Sequence, residues 1–134
     1  MLILDTNTLS YYFRGVPSVV AHLQAQRPQD LGVPTIVEYE LRYGLLRLPA
    51  AQAKPRIEAL AVLLAPLHIL PFDHVCADHA ARIRVALEKA GTPIGPHDLL
   101  IAATALRHQG TLVTRNVREF ERVAGLAIVN WHEG

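Results

Sequence analysis

Short apolar runs alternate with longer segments of helical periodicity along the whole chain. Leu2–Leu4 is apolar and stops at Asp5, the pattern of a buried strand. Thr8–Phe13 and Val16–Gln26 read as short helices, set apart by Gly15 and Pro17. Leu31–Val33 reads as a second strand. Thr35 then opens a helix reaching about Leu48, with Thr35 and Glu38 in the T-x-x-E form of a capping box. Lys54–Ala65 reads as a helix and His68–Leu70 as a third strand ending at Pro71. From His74 to Ala90, the residues Cys76, Ala80, Ile83 and Leu87 recur on one face at three- and four-residue steps. Gly91 closes that helix. A loop from Gly91 to Pro96 leads into an apolar helix, His97–His108, closed by Gly110. Thr111–Thr114 reads as a strand, Val117–Val123 as a short helix and Ala127–Val129 as the last strand.

Strands that alternate with helices and are apolar on both faces predict an α/β fold. Its sheet is central, five-stranded and mostly parallel, covered by helices in three α/β/α layers. In such sheets function gathers at the carboxyl ends of the strands, so the polar residues just after each strand come into focus.

Length and composition narrow the class. A chain of 134 residues, 51% of them hydrophobic and 19% charged, predicts one ordinary domain, residues 1–134, and excludes wholesale disorder. A net charge of +1 excludes gripping nucleic acid by bulk charge alone. A lone cysteine, Cys76, excludes a disulfide framework and a cysteine-ligated zinc site. The longest apolar stretch, Ala59–Phe72, is cut by Pro66, His68 and Pro71, too short to span a membrane. No positively charged leader opens the sequence. The expectation is a cytoplasmic protein with no membrane partner.

The acidic residues change the picture most. Asp5 directly follows the first strand, where it serves either as a helix cap or as a site residue. Glu40 lies in an otherwise apolar turn, costly unless it is paired or binds a cation. Glu38, two residues earlier, has a structural use in the capping box. Asp98 opens an apolar helix, a place where acids are favoured anyway. Thr114, Asn116 and Glu119 follow the fourth strand. Asn116 can serve a turn, and Glu119 can pair with Arg115 or Arg122. Each residue alone has an ordinary explanation. Together they follow three strands whose ends converge on one rim of a parallel sheet. Carboxylates gathered there repel one another unless hard divalent cations such as Mg²⁺ or Mn²⁺ intervene. Metals held in this way activate water and stabilise the leaving oxygen of a phosphodiester.

These same residues carry a resemblance. Leu2-Ile3-Leu4-Asp5-Thr6-Asn7 resembles the first motif of PIN-domain nucleases. Ile36-Val37-Glu38-Tyr39-Glu40-Leu41-Arg42-Tyr43-Gly44 is similar to the second, with Glu40 as its acid. Ile94-Gly95-Pro96-His97-Asp98-Leu99-Leu100-Ile101-Ala102-Ala103 resembles the third, with Asp98 as its acid. Leu112 to Phe120, followed by Gly125-Leu126 and Trp131, resembles the family's C-terminal end. Within the family the resemblance is to VapC toxins of VapBC toxin–antitoxin pairs. It implies a PIN-like fold and a Mg²⁺- or Mn²⁺-dependent endoribonuclease that cuts structured RNA, often tRNA. It also implies inhibition by a VapB-like antitoxin and a homodimer. Asp5, Glu40 and Asp98 are then the metal ligands. Thr114, Asn116 and Glu119 complete the catalytic site. One departure stands out: Asn116 is neutral where many PIN domains carry Asp, and Glu119 is the nearest acid.

RNA must still approach an acidic pocket. All basic residues except Lys54 and Lys89 are arginines, which suit phosphates and unpaired bases. Arg14, Arg42, Arg115 and Arg118 are the candidate RNA contacts. His97 is next to Asp98, but a surface or capping role suits it and the other histidines. The apolar residues of the first two helices, from Leu9 to Leu23, belong either to the core or to a groove for an antitoxin segment.

Two other readings remain. Leu4-Asp5-Thr6-Asn7-Thr8 approaches the D-x-D-x-T signature of haloacid-dehalogenase-type phosphatases. Asn7 breaks it, and neither lysine is a convincing partner. A non-catalytic RNA-binding or assembly PIN domain is the other, prompted by Asn116.

Overall fold

The protein was examined as a computed structural model that describes residues 1–132. Five strands form one sheet: β1 (Leu2–Leu4), β2 (Leu31–Pro34), β3 (His68–Leu70), β4 (Thr111–Val113) and β5 (Ala127–Val129). Their order is β3-β2-β1-β4-β5, and every pairing is parallel. The helices are α1 (Thr6–Phe13), α2 (Pro17–Gln24), α3 (Thr35–Leu46), α4 (Ala50–Leu64), α5 (His74–Lys89), α6 (Pro96–Arg107) and α7 (Val117–Phe120). This is the α/β arrangement with a central parallel sheet expected from the alternation of apolar runs.

The strand order places β1 at the centre. From β1 the chain moves outward through β2 and β3, then returns past β1 to lay down β4 and β5. The order therefore reverses between β1 and β4, and the crevice outside their carboxyl ends is the natural ligand site of such a sheet. Asp5 and Thr114 are the residues that follow those two strands. Ile3, Leu4, Val33, Leu112 and Val113 are fully buried, and Leu9, Val37, Leu60, Ile101 and Phe120 pack onto them from the helices. The two outer strands are only three residues long and partly exposed, which limits the edge they offer to another chain.

Three local features depart from the sequence reading. Thr35 is already the first helical residue, and Pro34 occupies the cap without a side-chain bond. The capping box therefore does not form, and Glu38 instead pairs with Arg42 at 2.8 Å, one turn along the same helix. Helix α4 begins at Ala50, ahead of the expected Lys54, with Pro55 inside it. At the sixth helical position this proline gives up one backbone hydrogen bond and crowds the carbonyl one turn before it. At the end of α6 the left-handed residue is Gln109, at φ 52°, not Gly110. Gly110 serves another need. A Cβ there would lie 2.5 Å from the Ile3 side chain and 3.0 Å from the Met1 carbonyl, so only glycine lets β4 enter the sheet beside β1.

Among the described residues, no helix is long and apolar enough to cross a membrane.

Candidate active site

Asp5 leaves β1 with extended backbone (φ −84°, ψ 173°) and caps α1, its carboxylate accepting from the Thr8 amide at 2.8 Å. Capping and a place in the site are thus not alternatives. The residue is 3% exposed. Burial pushes its carboxyl up from the ordinary value, hydrogen bonds from Thr114 and Thr8 oppose this, and the Glu40 charge adds to the rise. Thr114 is fully buried, and its hydroxyl oxygen accepts from the Asn116 amide at 3.0 Å.

Glu40 reaches the same place from α3. Its Oε1 accepts from the Thr6 hydroxyl, and its Oε2 lies 2.9 Å from Nδ1 of His97. The sequence reading gave neither Thr6 nor His97 a part in the site. Their signal was only adjacency, Thr6 following Asp5 and His97 preceding Asp98. The sequence favours a surface or capping role for His97 while placing it near the pocket, and it is indeed half exposed. Its inner face is nonetheless tied to a site carboxylate.

Asp98 sits in the first turn of α6 and Glu119 in α7, and their carboxyl groups influence one another. Burial pushes Asp98 up to about 7, aided by the charge and contact of Glu119 and by the charges of Asp5 and Glu40. Glu119 moves the other way. The Gly95 amide donates to its Oε1 at 2.8 Å, the Asn116 side-chain amide donates to its Oε2, and Arg122 adds a favourable charge. The pair thus favours the proton on Asp98 and the charge on Glu119. Arg122 holds the Gly95 loop by donating to the Pro93 carbonyl at 3.1 Å.

The fold thus brings Asp5, Glu40, Asp98, Thr114, Asn116 and Glu119 together at one rim, and Glu119 faces the acids instead of pairing with Arg115. The donor set is oxygen-rich, and its crowded negative charge helps push the Asp98 carboxyl up. Such a set suits a hard divalent cation. Among the described residues, no three His, Cys, Asp or Glu side chains close into a ready-made metal cage.

The candidate arginines divide. Arg42 is engaged by Glu38. Arg115 is exposed, donates to the Tyr11 hydroxyl at 3.2 Å and lies 5.5 Å over the Tyr11 ring. Arg118 is exposed on α7. Arg14 lines a groove of about 590 Å³ that starts at Thr6 and Glu40 and runs between α1, α3 and α4 over Phe13, Leu41 and Leu45. A second groove, of about 690 Å³, lies between α2 and α4 over Tyr12, Val20 and Val62. In the first two helices Leu9, Val19 and Leu23 are core residues, whereas Phe13 is 44% exposed.

Comparison with known proteins gives a consistent result. A family model described as the PIN domain matches residues 2–126. The chain is 31% identical over 128 residues to the tRNA(fMet)-specific endonuclease VapC of Salmonella typhimurium, covering 96% of each chain. It is 33% identical to ribonuclease VapC2 of Rickettsia felis, again over 96% of each. Among solved structures, a chain of VapBC2 from Rickettsia felis bound to a DNA fragment from their promoter superimposes with a TM-score of 0.88. That match has 32% identity and covers 97% of this chain and 98% of the other. A chain of FitAcB from Neisseria gonorrhoeae gives 0.87 at 34% identity, covering 98% and 99%.

Proposed function

The chain belongs to the PIN-domain family, and from that premise we propose that it is a metal-dependent endoribonuclease toxin of the VapC type, cutting structured RNA such as tRNA. One observation carries the reading. Four carboxyl groups from four separate segments meet at the point where the strand order reverses, and their burial and mutual charge push the Asp98 carboxyl up.

Asp5, Glu40 and Asp98 would hold Mg²⁺ or Mn²⁺. When bound, such an ion makes water a stronger nucleophile and offsets charge on the leaving oxygen. The chain's own residues do the rest. The Thr8 amide and the Thr114 hydroxyl fix the Asp5 carboxylate at the end of β1. Thr6 and His97 clamp Glu40 from both of its oxygens. Asn116 and the Gly95 amide orient Glu119 beside Asp98, where it can accept a proton from the attacking water. Thr114 braces the turn that carries Asn116. Arg14, Arg115 and Arg118 lie on exposed ground suited to the RNA backbone. Arg42 would have to leave Glu38 to join them.

The protein partners that go with this reading are a VapB-like antitoxin and a second copy of the chain. Support for the antitoxin comes from relatives solved as VapBC complexes. The two grooves beside α4 offer it an apolar bed. The non-catalytic alternative rested on Asn116. In the fold that amide holds Glu119 against Asp98, so the neutral residue retains an acid at the site and the alternative loses its motive.

The test is direct. Purified protein freed of any partner is incubated with total tRNA in Mn²⁺, Mg²⁺ or EDTA, beside Asp98→Asn. Discrete fragments that need metal and vanish in the variant are expected. Equal cutting by Asp98→Asn would remove that residue from the site.

A further inference from the structure

Outside the acidic pocket, α3 carries three residues at four-residue steps on one face: Tyr39, Tyr43 and Arg47, the last just past the helix end. Both tyrosines are over half exposed, at 54% and 55%. Their rings are nearly parallel, at 24°, with centroids 6.4 Å apart. The Arg47 guanidinium lies 5.0 Å over the Tyr43 ring. At the other end, His97 meets Tyr39 edge-on at 5.7 Å, and the same imidazole contacts Glu40 at 2.9 Å. An aromatic column thus runs without a break from a cation to a carboxylate of the candidate active site.

We propose that Tyr39 and Tyr43 form a stacking subsite for unpaired RNA bases beside the point of cleavage, with Arg47 on a flanking phosphate. The proposal rests on the nuclease reading and states where the substrate's bases lie. Exposed rings of similar orientation offer flat faces that any base can cover, a sequence-tolerant mode common to proteins that bind single strands. Arginine next to such a ring can both stack and contact phosphate. Of the two carboxylates on this helix, Glu38 is paired with Arg42 and Glu40 is engaged by Thr6 and His97. A duplex keeps its bases stacked on one another, so this strip selects unpaired segments. The plainer role for two tyrosines four apart is to support the helix. That role predicts a loss of stability and no effect on RNA.

A short unpaired RNA containing 2-aminopurine separates the two roles, because stacking on an aromatic ring quenches its fluorescence. Binding is measured in an Asp98→Asn background, and cleavage of the same RNA in the otherwise unaltered protein. Tyr39→Ala and Tyr43→Ala are expected to lose the quenching and to raise KM by about tenfold or more, with kcat little changed. Tyr39→Phe and Tyr43→Phe are expected to keep both. If the unaltered protein cuts RNA and the alanine variants show unchanged KM and quenching, the subsite is overturned and the nuclease reading stands. If the unaltered protein cuts no RNA in either metal, the nuclease reading falls. In that case unquenched 2-aminopurine overturns the subsite as well, and quenching lost in the alanine variants sustains it as a binding site alone. Sedimentation of each variant completes the set. A change of oligomeric state with unchanged quenching would make the strip a contact between copies and overturn the proposal.

Discussion

Asp5 and Asp73 do the same structural job in opposite electrostatic company. Each follows a strand with extended backbone and caps the next helix by accepting from the amide three residues on, at 2.8 Å from Thr8 and 3.0 Å from Cys76. Asp73 is partly exposed and faces Arg107 at 3.1 Å. The Cys76 amide and Arg107 hold its carboxyl below the usual carboxylate range. Asp5 is buried among other acids, with no arginine beside it, and its carboxyl is pushed up. Capping alone therefore does not mark a site. What marks Asp5 is that a carboxylate has been kept where charge is unfavourable, and an uncompensated cost of this kind points to a function outside the fold.

The sharpest way to break this comparison is to neutralise both caps. Asparagine caps a helix about as well as aspartate, so either substitution tests charge with the cap retained. Asp5→Asn is expected to lower RNA cleavage by at least about a hundredfold with no loss of thermal stability. Asp73→Asn is expected to leave cleavage within about twofold, since distant surface changes of this kind are usually neutral. Equal activity of the two variants would show that the buried acid serves only the fold.

A second, smaller effect separates residues that belong to the site from residues that position it. Asn116 donates to Glu119 and touches no other acid of the cluster in the hydrogen bonds described. Asn116→Ala is expected to lower kcat by about tenfold, in the range for residues that orient a metal ligand or base. Asn116→Asp is expected to repel Glu119 without metal and to recover activity at high Mn²⁺. A metal titration of cleavage reads both, and a merely structural residue would show no metal-dependent rescue.

Much of this arrangement was legible in the chain, and the reason is geometric. Short apolar runs ending in Asp5 and Thr114 place those residues at the strand ends, because a parallel sheet brings all carboxyl ends to one rim. Glu40 was legible as an acid without a local partner. What the sequence could not convey is which groups turn inward. Glu119 could pair with Arg115 or Arg122 on either side of it, and only the approach of the Gly95 loop shows that it turns toward Asp98. His97 reads as a surface residue because its exposure is real, while its link to Glu40 spans distant parts of the chain. The capping box failed for a related reason: T-x-x-E defines a cap only when the threonine precedes the first helical residue, and here Pro34 does.

A stability effect at the exposed cap comes next in size. Asp73→Ala removes both the cap and the ion pair with Arg107, and Tm is expected to fall by about 2–8 °C, with cleavage unaltered at a temperature where both proteins are folded. Differential scanning fluorimetry and an RNA assay on the same samples measure the two. A matching loss of activity would tie α5 to the site and dissolve the contrast between the two caps.

The smallest effect is a pH slope, and its sign follows from the direction of the Asp73 shift. A carboxyl held below its ordinary value in the folded state binds its proton less readily there than in the unfolded chain. Its contribution is present above the unfolded value, near 3.8, and is lost as pH falls through the lower folded value. The urea midpoint of the protein should therefore exceed that of Asp73→Asn at about pH 5, and the gap should narrow toward about pH 2. The cap is the same in both proteins, so the narrowing reports the charge on Asp73 alone. A gap that stays constant over this range would mean that Arg107 adds nothing beyond what a neutral cap provides. The two aspartates would then differ in burial only.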